Sequence, residues 1–287
     1  MHLRPSGWHA ELALGFAPAS ARDPRPGRTV LAALRHRGPL RVQRAFHPQE
    51  DGTCHVYVLH PPGGLVGGDV LTIDVDVAPG ARALVTTPAA GKLYRSARLW
   101  ATQTHTLRVA AAASLEWLPQ ENIFYSGAHA RVATRVHLED GGLFLGWEIS
   151  VLGRPAAAET FAAGACLHAF EIFRSQDGAP LWLERGRYDG GDDALTQAWG
   201  LAGRTAVGTL VCASVGRGAT LAALLPELRA PLAHDACAAV TLLDDVLVCR
   251  ALGHEAQDVR KSFMPLWARL RAALLDSPAV APRVWAT

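Results

Sequence analysis

The stretch Leu71-Thr-Ile-Asp-Val-Asp-Val77 places apolar residues at its odd positions and polar residues at its even positions. Successive side chains of a β-strand point to opposite faces, so this alternation predicts a strand with one buried face. The same period of two recurs in two further segments, which run from Val132 to Leu138 and from Leu143 to Ser150. The period of 3.6 that indicates helices appears only in the last third of the chain.

Weaker alternation extends this pattern over most of the chain. The further candidate strands are Trp8 to Phe16, His55 to Leu59, His105 to Val109, Cys166 to Ile172, Ala206 to Val211, and a pair joined by a turn at Asp244-Asp245. They follow one another at intervals of roughly 10 to 15 residues, too short for the helical crossovers of a doubly wound α/β sheet. We therefore expect a mainly β body over about residues 8–215.

Two segments of the last third are predicted to be helices. The apolar face of residues 219–229 consists of Leu221, Leu224, Leu225 and Leu228. The apolar face of residues 255–275 consists of Val259, Phe263, Leu266, Leu270 and Leu274, and its basic residues Arg260, Lys261, Arg269 and Arg271 are expected on other faces. Pro265 predicts a kink or a restart of the second helix. The segment Pro18–Arg28 is predicted to be a loop, and the 287 residues are expected to form a single domain.

Composition excludes several classes of protein. Of the 287 residues, 49% are hydrophobic, which is enough for a core. The 28 basic and 26 acidic residues leave a net charge of +2, too small to indicate nucleic acid or an acidic membrane as a partner. The sequence shows neither a signal peptide nor an apolar run long enough for a bilayer. The five cysteines form no C-x-x-C pair, and we expect reduced thiols in a cytoplasmic protein.

The most unusual segment is HPPGGLVGGD, residues 60–69, with four glycines in six positions. A phosphate-binding loop is excluded because no lysine follows in the required position and because Asp69 would repel an anion. The segment predicts a tight corner between strands. Asp69 at its end is expected either to cap backbone amides or to face a polar channel.

Two further segments carry charged residues in possible binding positions. In residues 86–96, Lys92 and Arg95 could bind an anion or a carboxylate surface and Tyr94 could stack; the alternative is an ordinary polar loop. In residues 115–125, Glu116 and Glu121 do not form an acid/base pair at a fixed spacing, and a solvated strand edge is the expected setting. The sequence contains no recognisable nucleophile motif.

The densest group of possible metal ligands is His47, Cys54, His55 and His60. Imidazole and thiolate suit nickel or zinc, but the spacing is irregular and neighbours on a strand point to opposite faces. We do not expect a structural metal site here. A weak, transient site made of carboxylates and histidines stays open.

Six motifs in order resemble those of one family, the urease accessory protein UreD (also called UreH). They are GPLRVQRAFHP (38–48), CHVYVLHPPGGLVGGD (54–69), TTPAAGKLYRS (86–96), LEWLPQENI (115–123), WEISVLGRPAAAE (147–159) and VAPRVWAT (280–287). The resemblance extends from about residue 8 to the C-terminus. Gly91 and Ser126 depart from the residues more usual in the family, and neither lies at the centre of a motif.

The resemblance implies a fold and a role. The fold would be a β-helix-like stack of strands with two α-helices in the C-terminal third. The role would be that of a scaffold rather than an enzyme: UreD-like proteins join UreF and the GTPase UreG on the urease apoprotein and help to deliver nickel and carbon dioxide. No tightly bound cofactor is implied, only Ni²⁺ in transit.

On this interpretation, Asp69 and Glu184 line an interior route for nickel. Glu184 follows Leu181-Trp-Leu183 and is expected to share the face of Trp182. Burial of an unpaired carboxylate is costly unless water, a base or a metal ion accompanies it. The alternative is ordinary pairing, of Glu184 with Arg185 or Arg187 and of Asp69 with backbone amides.

The residues predicted to bind partner proteins are Lys92, Tyr94, Arg95, Phe263, Leu270 and Trp285. The helical stripe 255–275 and the tail would dock UreF; the alternative is that the stripe packs on the chain's own β body. A competing function is a β-helical polysaccharide lyase or hydrolase that would use Asp69, Glu148 and Glu184. A third possibility is a general β-rich interaction module with another partner.

Overall fold

The computed structural model describes residues 7–20 and 27–286. Strands make up 47% and helices 16%, and two sheets wind into a β-solenoid of about four turns. This confirms the mainly β, β-helix-like fold. Residues 21–26 of the predicted loop Pro18–Arg28 lie outside the described residues. No helix within the described part of the chain is long and apolar enough to cross a bilayer.

The described residues form the following strands and α-helices, in chain order: β1 (His9–Pro18), β2 (Thr29–Arg37), β3 (Arg41–Val42), β4 (Cys54–Leu59), β5 (Val70–Val77), β6 (Arg82–Thr86), β7 (Gly91–Leu93), β8 (Ala101–Val109), β9 (Ser114–Leu118), β10 (Asn122–Phe124), β11 (Ala128–Leu138), β12 (Leu143–Arg154), β13 (Glu159–Thr160), β14 (Gly164–Arg174), β15 (Pro180–Asp189), β16 (Ala206–Ala213), α1 (Gly218–Arg229), β17 (Ala238–Leu243), β18 (Val246–Gly253) and α2 (Ala256–Leu275).

The chain alternates between the two sheets, which explains the solenoid. The first sheet has the order β15-β14-β11-β8-β5-β1-β2, and its five strands from β14 to β1 are parallel. The second sheet has the main order β17-β18-β16-β12-β9-β6-β4-β3, and its strands β12, β9, β6 and β4 are parallel. Antiparallel strands continue both sheets at each end of the parallel stack.

The alternating pattern places one face of each strand in the first sheet against the second sheet. In β5, Leu71, Ile73, Val75 and Val77 are buried, as the sequence predicts. The strand β12 differs because it is buried on both faces. Phe144 faces the core between the sheets, whereas Leu145 and Trp147 pack with the helices on the other side. The predicted half-buried strand is thus a central strand of a three-layer arrangement, with the helices as the third layer.

Both predicted helices are present and cover the outer face of the second sheet. In α2, a capping box between Glu255 and Asp258 fixes the first turn. The helix continues without a break through Pro265, so the predicted restart is wrong; packing on both sides of the proline maintains one helix. Arg271 was expected on another face but is completely buried, where it pairs with Asp51 at 2.6 Å.

Candidate functional site

A cavity of about 550 Å³ lies between the two sheets and is framed by two of the sequence motifs, residues 60–65 and 87–92. Segment 60–69 is the corner between β4 and β5, as predicted. A Cβ atom on Gly64 would lie 2.3 Å from the Tyr94 ring and 2.7 Å from the carbonyl oxygen of Lys92. Glycine at this position therefore allows the two motifs to touch at the mouth of the cavity.

The inner wall of the cavity continues into what we call the interior polar row: His105, Thr134, Glu148, His168 and Glu184. His105 Nδ1 lies 2.7 Å from Thr134 Oγ1, and that hydroxyl donates to Glu148 Oε1. Glu148 Oε2 lies 3.2 Å from His168 Nδ1, and His168 Nε2 lies 3.5 Å from Glu184 Oε1. Four strands of the first sheet and β12 of the second contribute one residue each.

The row approaches solvent at its far end. Glu184 Oε1 accepts a hydrogen bond of 2.7 Å from Thr209 Oγ1, and Glu184 Oε2 accepts one of 2.6 Å from Arg250 Nε. The Arg250 side chain is 59% exposed. A continuous set of polar groups therefore connects the cavity with the surface beside β18.

Burial and charge give the members of the row different proton affinities. Burial lowers the pKa of His105 to about 3, so this imidazole is neutral. Burial also lowers the pKa of His168, but the hydrogen bond to Glu184 and the charges of Glu148 and Glu184 outweigh it and raise that pKa. Burial raises the pKa of Glu148. For Glu184, hydrogen bonds from His168 and Thr209 and the charge of Arg250 outweigh burial and lower the pKa.

A second, much smaller void of about 20 Å³, which we call the constriction, is lined by Glu148, His168 and Glu184. That volume holds about one water molecule. Glu148 Oε2 borders this constriction; it is buried and faces His168 Nδ1 at 3.2 Å, but it accepts no well-formed hydrogen bond from the described residues. A hydrated cation would therefore have to exchange water for oxygen and nitrogen atoms of the protein at this point.

The structure separates the two carboxylates predicted to line a route. Glu184 shares the inner face with Trp182, as expected, and belongs to the interior polar row. Asp69 lies before β5, and three strands separate β5 from β15 in the first sheet. Both of its oxygens accept backbone hydrogen bonds, of 2.8 Å from Trp8 N and 2.9 Å from Val66 N. The amide-capping alternative therefore describes Asp69.

The predicted partner-binding residues occupy two different environments. Lys92 borders the mouth of the cavity, Tyr94 packs edge-on against Tyr125 at 5.0 Å, and Arg95 is exposed. Phe263 and Leu270 are fully buried against the second sheet. The helical stripe thus has the alternative arrangement, packing on the chain's own β body, because the second sheet needs a cover for its apolar outer face.

The tail residue Trp285 also makes contacts within the chain. Its indole Nε1 donates a hydrogen bond of 2.9 Å to Thr86 Oγ1, and its ring lies 5.5 Å from that of Trp147 and 5.7 Å from that of Trp267. The C-terminal tail is therefore attached to the second sheet beside α2.

The possible metal ligands His47, Cys54, His55 and His60 have separate roles. His47 Nε2 lies 2.6 Å from the Thr29 carbonyl oxygen, and His55 Nε2 lies 3.2 Å from Gln49 Oε1. His60 borders the cavity. Across residues 7–20 and 27–286, no three histidine, cysteine or acidic side chains are arranged to hold a metal ion together, and the five cysteines are free.

Sequence reasoning missed most of the row and misplaced one glutamate. His105 and His168 occupy inward positions of strands that were predicted correctly, and a polar residue among inward apolar ones was the available signal. Glu116, expected at a solvated edge, is buried and accepts a hydrogen bond of 2.7 Å from Trp267 Nε1. Glu121 pairs with Arg260 at 2.7 Å.

Fold and site together define a β-solenoid protein with a cavity and a row of polar side chains between its sheets. A family model described as "UreD urease accessory protein" matches residues 9–286. The urease accessory protein UreD of Dechloromonas aromatica is 44% identical over 98% of this chain and 95% of its own length. The urease accessory protein UreD of Azoarcus sp. is 44% identical over 100% and 97%, and UreD 2 of Brucella anthropi is 43% identical over 98% and 99%.

The chain belongs to the UreD family of urease accessory proteins. The family consists of maturation factors rather than enzymes. The competing interpretation as a polysaccharide lyase or hydrolase is therefore wrong. Its three carboxylates also fail to converge, because Asp69 is remote from Glu148 and Glu184.

Proposed function

We propose that this protein acts in the cytoplasm as a scaffold that joins UreF and UreG to the urease apoprotein, and that Ni²⁺ passes through its interior polar row on the way to urease. The observation that carries the route is Glu148 Oε2, a buried carboxylate oxygen that lies 3.2 Å from His168 Nδ1 but accepts no well-formed hydrogen bond from the described residues. It lies where the cavity meets the constriction. A buried carboxylate oxygen needs a positive charge beside it, a role that the His168 imidazole fills in the absence of a metal ion and that a passing cation would take over.

The donor set suits brief binding of nickel. Imidazole nitrogen and carboxylate oxygen are both ligands that Ni²⁺ accepts. The groups follow one another along a line and do not surround one point, so each step offers few ligands at a time. Such a line favours exchange from one group to the next over tight capture.

The charges along the row also support passage of a cation from the cavity towards the surface beside β18. In the absence of a metal ion, His168 lies between Glu148 and Glu184 and balances their charges. A cation that arrives from the cavity would take over this role at the constriction. At the far end, Arg250 competes for Glu184, and its exposed side chain is free to swing into solvent when the cation reaches that carboxylate.

The scaffold role is tested by reconstitution. Urease apoprotein, UreF, UreG, bicarbonate and limiting nickel are incubated with and without this chain, and nickel per urease is measured by mass spectrometry. We expect nickel incorporation and urease activity to depend on the chain. Equal incorporation without it would contradict the proposal.

A comparison of Glu184→Ala with Glu171→Ala tests the assignment of the route. In complexes that still contain UreF and UreG, we expect Glu184→Ala to lower urease nickel content, and Glu171→Ala, which removes a carboxylate on the outer face of the first sheet, to leave it unchanged. Unchanged nickel content with Glu184→Ala would remove Glu184 from the route.

A further inference from the structure

Eight large apolar side chains are exposed among the described residues, and three of them belong to segments that contact one another. Trp8 is 58% exposed, Val66 48% and Leu99 50%. They lie in the connections that enter β1, β5 and β8, three adjacent parallel strands of the first sheet. Contiguous exposed apolar side chains are more typical of a binding surface than isolated ones.

Glycine packing brings these segments into direct contact. A Cβ atom on Gly7 would lie 1.8 Å from the Gly68 carbonyl oxygen. A Cβ atom on Gly67 would lie 2.6 Å from the carbonyl oxygen of Leu99. The backbone of segment 67–68 therefore lies between the segments of Trp8 and Leu99, at a distance that only glycine permits.

Asp69 fixes the relative positions of these segments through hydrogen bonds to their backbone amides. One carboxylate oxygen holds the backbone of Trp8 and the other holds that of Val66. The Gly68 amide adds a hydrogen bond of 3.0 Å to the Trp100 carbonyl oxygen. Asp69 is thus a positioning residue for two of the exposed apolar side chains.

The neighbouring charges are positive. Arg98 is exposed and directly precedes Leu99; Arg131 is exposed and lies over the Trp100 ring, with 5.9 Å between its guanidinium carbon and the ring centroid. Within the described parts of the chain, neither arginine has a carboxylate within 4.0 Å, although most other arginines of the first sheet have one.

We propose that Trp8, Val66, Leu99, Arg98 and Arg131 form a docking surface, the arginine-rimmed patch, for a partner protein segment that carries an apolar side chain flanked by carboxylates. The apolar centre would take the partner's apolar side chain, and the two unpaired guanidinium groups would take its carboxylates. This proposal rests on the proposed function, in which the chain acts by assembling with other proteins.

The patch is tested by quantitative binding of purified urease apoprotein, UreF and UreG to purified variants of the full chain. We expect Trp8→Ser with Leu99→Ser to weaken binding of one of these three proteins by about tenfold or more. We expect Arg98→Glu with Arg131→Glu to weaken binding of the same protein and to reduce its salt dependence. Binding of the other two proteins should not change.

Matched controls lie elsewhere on the molecule. Trp199→Ser with Leu243→Ser removes exposed apolar side chains, and Arg35→Glu with Arg44→Glu reverses exposed charges without touching the patch. Binding by the patch variants within twofold of the unmutated chain for all three proteins would overturn the proposal, and so would an equal loss with the control variants.

Two other occupants of the patch are distinguished in the same series. Tighter binding after deletion of residues 1–6 would identify the chain's own N-terminus as the cover, and a dimer that the patch variants dissociate would identify a second copy; either result overturns the proposal. Failure of the scaffold proposal is separate, because it requires urease to acquire nickel without the chain. Loss of the patch proposal alone would leave nickel incorporation dependent on the chain.

Discussion

His105 is the titratable residue whose environment predicts the clearest pH effect. It is enclosed between the sheets, and burial lowers its pKa from 6.5 to about 3. Between these values the unfolded chain binds a proton that the folded chain excludes. The contribution of His105 to folding stability therefore falls by about 1.4 kcal/mol for each pH unit below 6.5.

Substitution of His105 should remove this pH-dependent contribution to folding stability. In urea unfolding between pH 7.5 and 4.5, we expect the stability of the unmutated protein relative to His105→Gln to decrease as the pH falls below 6.5. Thr72→Ser on β5, which changes no titratable side chain, provides the control, for which the difference should stay constant. A constant difference for His105→Gln would show that this imidazole is not held neutral.

Asp69 gives a second prediction at the scale of one residue. Asp69→Ala leaves the amides of Trp8 and Val66 without their acceptors, and we expect a loss of about 2 kcal/mol of unfolding free energy. Asp76→Ala, which changes an exposed carboxylate of β5, should cost less than about 1 kcal/mol. Equal losses of unfolding free energy for the two variants in urea denaturation would contradict a stabilising role of the Asp69 cap.

At the scale of elements, the attachment of α2 depends on a buried cation. Arg271 Nη2 lies 2.7 Å from Gln49 Oε1, and Arg271 Nη1 lies 3.4 Å from Glu116 Oε2. Because Arg271→Ala leaves Glu116 and Asp51 with less charge compensation, we expect it to destabilise the protein by about 3–5 kcal/mol. Chemical denaturation followed by tryptophan fluorescence measures this loss.

The neighbouring arginine of the same helix supplies the control. Arg269 pairs with Glu227 at the surface, where water screens the pair, and Arg269→Ala should cost far less stability than Arg271→Ala. Combining Arg271→Met with Glu116→Gln should recover part of the lost stability, because both buried charges are then removed. A similar small cost for both arginines would contradict the anchoring role of Arg271.

The contrast between β5 and α2 shows what local pattern predicts in this chain. The alternation of Leu71, Ile73 and Val75 follows from one buried face and predicts the strand directly. The burial of Arg271 could not be predicted from its helical position, because its partners Gln49 and Asp51 are more than two hundred residues away along the chain. Local periodicity predicts which face of an element is apolar. It does not predict which polar groups from distant parts of the sequence contact that element.

At the scale of the whole molecule, the same limit explains why the interior polar row was only partly predicted. The inward position of Glu184 follows from its strand pattern, since it shares a face with Trp182. Its neighbours His168 and Glu148 belong to different sheets, and their contact depends on the way successive solenoid turns stack. Only the winding of the chain brings these groups together.

The winding also supplies an internal control for the row. Glu171 is buried and lies on β14, next to the strand of Glu184, but it belongs to the outer face of the first sheet. There it pairs with Arg135 at 2.9 Å and Arg185 at 2.6 Å. A substitution there changes a buried, paired carboxylate without touching the row. It therefore separates loss of the passage from general loss of stability.

The most direct test of the central claim is the nickel content of urease matured at limiting nickel with complexes that contain Glu148→Gln and Glu184→Gln together. Glutamine retains the size of the side chain and removes the charge that would attract the cation. We expect complexes that assemble normally but leave urease with several-fold less nickel than complexes with Glu171→Gln or the unmutated chain. Equal nickel content in all three would contradict passage of nickel through the interior polar row.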